Sequence, residues 1–279
     1  MNRPVAITLS PGTKPAAGST QILYWVCLVG FLCSFVPVFL QTLRIPVLDA
    51  GSGWATAFLV LTAAVTTMVS LAKQLPAQNV VLAAAIIGIV AGTVEAVGAI
   101  SGIPFGPFFY AKTSGPRIFN TLPWCVPLVW IAALLGARGV ARLILRPWRK
   151  SRLYGFRLIG VTAALTLVFD LGIEPFATRV NHYWVWEPTK FAAIWPGTPP
   201  TNFLGWLVTS LLILAFVTPV MINKSHKKFP SDLQPLIVWT LLNVLFVTAA
   251  VVHQLWASVI LIALTSVITI VMAIRGARW

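Results

Sequence analysis

The chain holds only six acidic side chains: Asp49, Glu95, Asp170, Glu174, Glu187 and Asp232. Three of them stand in apolar runs. Glu95 shares a helical face with Gly88, Gly92 and Ala99, since spacings of three and four residues return to one side of a helix. Small residues let helices approach closely in lipid, so Glu95 is expected to point into a bundle. Asp170 and Glu174 are one turn apart, and Thr166 extends their face by another turn. Carboxylates at membrane depth are costly and point to function by default. The bland alternative is a set of buried groups satisfied by Thr, Asn and backbone partners.

The chemistry open to such a set is narrow. The three histidines, His182, His226 and His253, have no paired spacing, and Cys27, Cys33 and Cys125 lie in apolar runs without metal-ligand spacing. The sequence has no HExxH motif, phosphate-cradling loop, aspartate-rich diphosphate motif or serine in a glycine elbow. Carboxyls, aromatic rings and water access remain, a combination that suits acid catalysis on an apolar alkene. A carboxyl desolvated by lipid and protein keeps its proton at neutral pH. A second carboxylate can stay ionised and activate water. Desolvated aromatic faces stabilise a transient cation by up to ~2 kcal/mol each.

Those residues must be positioned by helices in a membrane. Of the 279 residues 58% are hydrophobic and 9% charged, against about 25% charged in soluble domains. The net charge of +14 accordingly indicates cytoplasmic loops and anionic headgroups rather than nucleic acid. A spanning helix needs about 20 apolar residues. Runs near 21–43, 53–72, 79–100, 124–145, 155–174, 203–222, 234–252 and 255–274 supply eight, following a Pro/Gly/Ser/Thr-rich arm over 1–20 that is expected to be disordered. Only His253-Gln254 separates the last two runs, so a tight hairpin is required there. Seven helices, one of them long and kinked, is the other possible count.

An all-α bundle of eight helices with both termini in the cytoplasm places fifteen basic residues inside and five outside, as the positive-inside rule requires. This makes 21–279 a single multi-pass domain, expected in a bacterial or archaeal cytoplasmic membrane. The two longest loops, about 101–121 and 175–202, then share the outer side with the three carboxylates. Both are rich in Trp, Phe, Pro and Gly. An aromatic belt at the interface would account for the rings, but long loops with fixed turns usually do more than connect.

Two blocks carry a resemblance. The first runs from Glu95 through Gly98, Gly102, Pro104-Phe105-Gly106 and Tyr110, and continues to Gly115-Pro116, Pro123 and Pro127-Leu-Val-Trp130. The second comprises Asp170, Glu174-Pro175, Trp184-Val-Trp186, Gly197-Thr-Pro199, Asn202 and Gly205-Trp206. Together they resemble the integral-membrane carotenoid hydratases, the family of bisanhydrobacterioruberin hydratase and the γ-carotene 1′-hydroxylases. Glu174 stands where that family tends to have Asp, and Trp195 where Tyr is expected. The first change keeps a carboxylate; the second removes a hydroxyl that could order water.

The resemblance implies a carotenoid biosynthesis enzyme acting on a lipid-soluble linear carotenoid. A carboxylic acid would protonate the terminal double bond, and water would capture the tertiary cation, with no metal, cofactor or nucleic acid. It implies Glu95 as the acid and Asp170 with Glu174 as the pair on water, with the assignment inside the trio open. Phe105, Tyr110, Trp184 and Trp186 would form the cation-facing wall. Asn202 would hydrogen-bond water or a carboxyl. A carotenoid cyclase would share the protonation but exclude water. A carotenoid- or lipid-binding membrane protein, or a small transporter, would do no chemistry.

Overall fold

The computed structural model describes residues 17–45, 54–189, 193, 195–222 and 233–279. Apolar runs dominate the chain, and helices satisfy every backbone group internally, which lipid demands. Eight of them are long and apolar enough to cross a membrane. They are α1 (Ala17–Thr42), α2 (Trp54–Ala72), α3 (Ala77–Ser101), α4 (Val126–Ile144), α5 (Tyr154–Pro175), α6 (Pro200–Val217), α7 (Gln234–Val252) and α8 (Trp256–Ala277). The protein is a multi-pass integral membrane protein. Most of the arm expected over 1–20 lies outside the described residues, as do His226, Asp49 and Asp232; α1 begins at Ala17, inside that arm.

Expected and observed helices agree to within a few residues, with one instructive exception. The apolar run near 203–222 folds as α6 over Pro200–Val217, followed by a separate tight turn at Pro219–Met221. Proline lacks the N–H that would continue the helix. The hairpin between α7 and α8 is as short as expected, with Gln254 at a φ of 57° reversing the chain.

Helix α4 is the hub. It packs against α2, α3, α5, α7 and α8, and most of it is buried. Helices α1 and α8 instead expose long apolar stripes, including Ile22, Val26, Val29, Ile260, Leu264 and Val267, as lipid-facing helices do. The glycine stripe on α3 works as its spacing suggests: Gly88 and Gly92 meet Pro127 of α4, beside Ile131 and Leu122.

The loops hold the only strands among the described residues: β1 (Phe108–Tyr110), β2 (Arg117–Ile118), β3 (Leu122–Pro123) and β4 (Trp184–Trp186). β2 pairs with β3 within one loop. β1 pairs antiparallel with β4, setting Phe108 opposite Trp186 and Tyr110 opposite Trp184. That ribbon joins the two long loops into one cap over the ends of α3, α5 and α6.

Candidate active site

The cap is seated by one aromatic side chain. Phe105 follows Pro104 in the turn after α3 and is 1% exposed. A Cβ at Gly98 of α3 would lie 2.7 Å from its ring, and one at Gly205 of α6 2.5 Å from the opposite edge. The ring is therefore held between two helices that must both be bare at that level. The loop continues through Gly106 at a φ of 105°, a conformation other residues rarely adopt. Thr201 Oγ1 then donates to the Phe105 carbonyl at 2.8 Å, tying the loop to the start of α6.

Beneath the cap all three carboxyls are buried and hydrogen-bonded. Glu95 accepts from the Tyr110 hydroxyl at 2.8 Å through Oε2 and from Trp130 Nε1 at 2.8 Å through Oε1. Glu174 Oε2 accepts from Thr198 Oγ1 at 2.9 Å, Trp186 Nε1 at 3.1 Å and Trp184 Nε1 at 3.5 Å. Asn202 Nδ2 lies 3.1 Å from Glu174 Oε1 and 3.1 Å from Asp170 Oδ2, so one amide bridges the pair. Burial, and then the neighbouring Glu95 carboxylate, pushes the Tyr110 phenol well above its ordinary range. Tyr110 therefore keeps its proton and serves Glu95 as a donor.

Seven of the eight residues singled out from the sequence line one small chamber: Glu95, Phe105, Tyr110, Glu174, Trp184, Trp186 and Asn202. Asp170 does not line it. It is fully buried, and its hydrogen bond runs to the Asn202 amide that also meets Glu174. Tyr110, Val126, Val129 and Trp184 also line a second space, walled by α2, α4, α5 and α7. Leu59, Ala63, Ala132, Phe169, Leu242 and Phe246 make that cleft almost wholly apolar. Tyr183 closes its rim; burial pushes its phenol up to about 12, and its hydroxyl donates to Thr56 Oγ1 at 2.7 Å.

Three contributors were not assigned roles from the sequence. Trp130 donates to Glu95 and stacks on Trp206 with ring centroids 4.0 Å apart. Thr198 donates to Glu174. Trp130, Trp206 and Thr198 all lie within the two motif blocks, which was the available signal; their roles depend on contacts between distant segments. Trp195 has a task of its own. Pro175 has no N–H for the Leu171 carbonyl one turn back, and Trp195 Nε1 donates to that carbonyl at 3.1 Å. The helix widens into a π turn at Phe176–Val180 directly afterwards. Histidines stay at the margin: His182 is exposed beside the Thr178 carbonyl, and His253 sits in the α7–α8 hairpin.

Comparison with known proteins fits this geometry. The family model for carotenoid biosynthesis proteins matches residues 54–272, from the start of α2 into α8. The chain belongs to this family. This carotenoid biosynthesis protein is also 30% identical over 124 residues to the bisanhydrobacterioruberin hydratase of Haloarcula japonica. That alignment covers 44% of the chain and 40% of the relative. No solved structure matches the carotenoid biosynthesis protein.

Proposed function

We propose that this protein adds water to the terminal C=C bond of a linear carotenoid. The observation that carries the reading is the junction of two unlike spaces. An apolar cleft suited to a polyene meets a small chamber faced by Glu95, Glu174 and aromatic rings. A long hydrocarbon lying in the cleft would present its end group to both carboxyls. The hydratase name of the Haloarcula japonica relative supports the same chemistry.

The hydrogen bonds suggest a division of labour. Glu95 accepts two and Glu174 four, and donors aimed at a carboxyl favour its anion. In this mechanism Glu95 therefore delivers the proton and Glu174 receives one. The π electrons of the terminal double bond take the Glu95 proton at the less substituted carbon. The tertiary cation forms among Phe105, Phe108, Trp184 and Trp186, whose faces stabilise positive charge. A water oxygen bonds to the cation, and Glu174 accepts the proton that water releases. Exchange with solvent returns a proton to Glu95. Asp170 is a positioning residue that orients the Asn202 amide. In this mechanism no redox step occurs, and the two carboxyls and water supply every proton and the oxygen.

The test is product analysis in cells that make lycopene, grown in ¹⁸O-water. A tertiary alcohol carrying the heavy oxygen is expected, and the purified protein should form it under nitrogen without a reductant. A ring product would replace the proposal with a cyclase, in which an internal double bond takes the place of water. Unchanged lycopene would favour a binding protein. Label from dioxygen would rule out hydration.

A further inference from the structure

At the opposite end of the bundle, α4 carries Arg138 and Arg142 one turn apart, and Arg146 and Arg149 continue the same face past its end. All four line an open cleft among α2, α4, α5 and the turn after α6. Like charges at this spacing repel, and a guanidinium under the surface is costly unless it is paired. Arg138 is 4% exposed. Its Nη2 donates to the Met221 carbonyl at a long 3.4 Å, and among the described residues its Nη1 has no partner. The same cleft is lined by Ser70 and Thr218, whose hydroxyl oxygens are also buried without partners among the described residues.

Three residues with polar atoms that no described residue satisfies therefore line the cleft in which the arginines are concentrated. Buried polar groups are normally hydrogen-bonded, and guanidinium groups hold phosphate oxygens through strong charge-assisted hydrogen bonds. We propose that this cleft binds a phosphate group, held by Arg138 and Arg142 with Ser70 and Thr218 completing its hydrogen bonds. Its place at the mouth of a membrane bundle allows two sources, the headgroup of an anionic phospholipid and a soluble phosphate. The site is independent of the carboxylate chamber and of the hydration reading.

Two measurements on the purified full-length protein in neutral detergent test this and separate the sources. Native mass spectrometry would compare retention of phosphatidylglycerol and phosphatidylcholine, and thermal unfolding would be followed with and without millimolar inorganic phosphate. For a headgroup site, phosphatidylglycerol should be retained at least about tenfold more tightly than phosphatidylcholine. Arg138→Gln and Arg142→Gln should each remove about a tenfold preference, the scale of one charged hydrogen bond. Arg152→Gln, an exposed residue outside the cleft, should keep the preference. For a soluble phosphate, the unfolding temperature should rise with phosphate in the wild type and not in Arg142→Gln, with the two lipids retained alike. Arg142 is only partly buried, so its variant serves if Arg138→Gln does not fold. Equal retention of both lipids with no phosphate shift would overturn the proposal. So would an effect of Arg152→Gln as large as that of Arg142→Gln, which would mean diffuse surface charge.

Discussion

The two ends of the bundle treat buried charge in opposite ways. At the capped end, Glu95, Asp170 and Glu174 are each hydrogen-bonded by side chains from other segments: Tyr110, Trp130, Asn202, Trp184, Trp186 and Thr198. At the arginine end, Arg138, Ser70 and Thr218 keep polar atoms that no described residue satisfies. A fully satisfied polar network is rigid, which is what the proposed proton transfers to and from a double bond held in a fixed orientation would need. A cluster of unsatisfied donors suits a ligand that brings the acceptors with it. One chain thus carries buried polar groups with partners at one end and buried polar groups that no described residue satisfies at the other.

The largest expected contrast is sidedness. In a chain cleared of its native cysteines, a single cysteine at Thr113 should label only from outside and one at Arg152 only from the cytoplasm, as the fifteen-to-five distribution of basic residues implies. The reverse pattern would invert the bundle in the membrane.

Next come the chamber carboxyls. Glu95→Gln and Glu174→Gln should each lower alcohol formation at least about 100-fold, as loss of a general acid or base does. Protein yield should stay near normal, because an amide leaves no unpaired charge. Wild-type turnover in both variants would show that the hydrogen-bonded end is structural only.

A smaller loss should follow from moving the cap without touching a carboxyl. Gly205→Ala places a methyl against the Phe105 ring, and displacement by about 1 Å can cost up to about 100-fold in rate. A loss of some tens-fold in kcat, with the protein still folded by circular dichroism, is the expected result. Unchanged kinetics would mean that the seating of Phe105 does not set the chamber's geometry.

Asp170 sharpens the assignment further. Because its hydrogen bond runs to Asn202 and it does not line the chamber, Asp170→Asn should cost about tenfold. The double variant with Asn202→Leu should cost little more than Asn202→Leu alone, since residues acting in one network are not additive. Full additivity in turnover would give Asp170 a separate, direct role.

The smallest effect is the coupling between the ends. Arg142→Gln combined with Glu95→Gln should give a rate within about twofold of the product of the single effects, as distant sites do. A larger deviation would mean that anion binding at one end adjusts chemistry at the other.

Much of this protein is determined by the sequence alone. Eight apolar runs can only be helices in lipid, because no other isolated segment satisfies its own backbone there. Glu95, Asp170 and Glu174 stand out because a carboxylate in such a run is too costly to be incidental. The glycine spacing around Glu95 correctly turns it toward α4. Tertiary structure decided the rest. The pairing of β1 with β4 joins loops more than seventy residues apart, and short strands in aromatic loops have no period that announces them. Trp130, Thr198 and Trp195 acquire their tasks only from partners brought near by the packing of α3 on α4, by the fold of the second long loop and by the break at Pro175. The separation of Glu174, which faces the chamber, from Asp170, which bonds to Asn202, is likewise spatial. Two carboxylates one turn apart look equivalent along a helix, and only the neighbouring helix distinguishes the one that meets the cavity from the one that supports it.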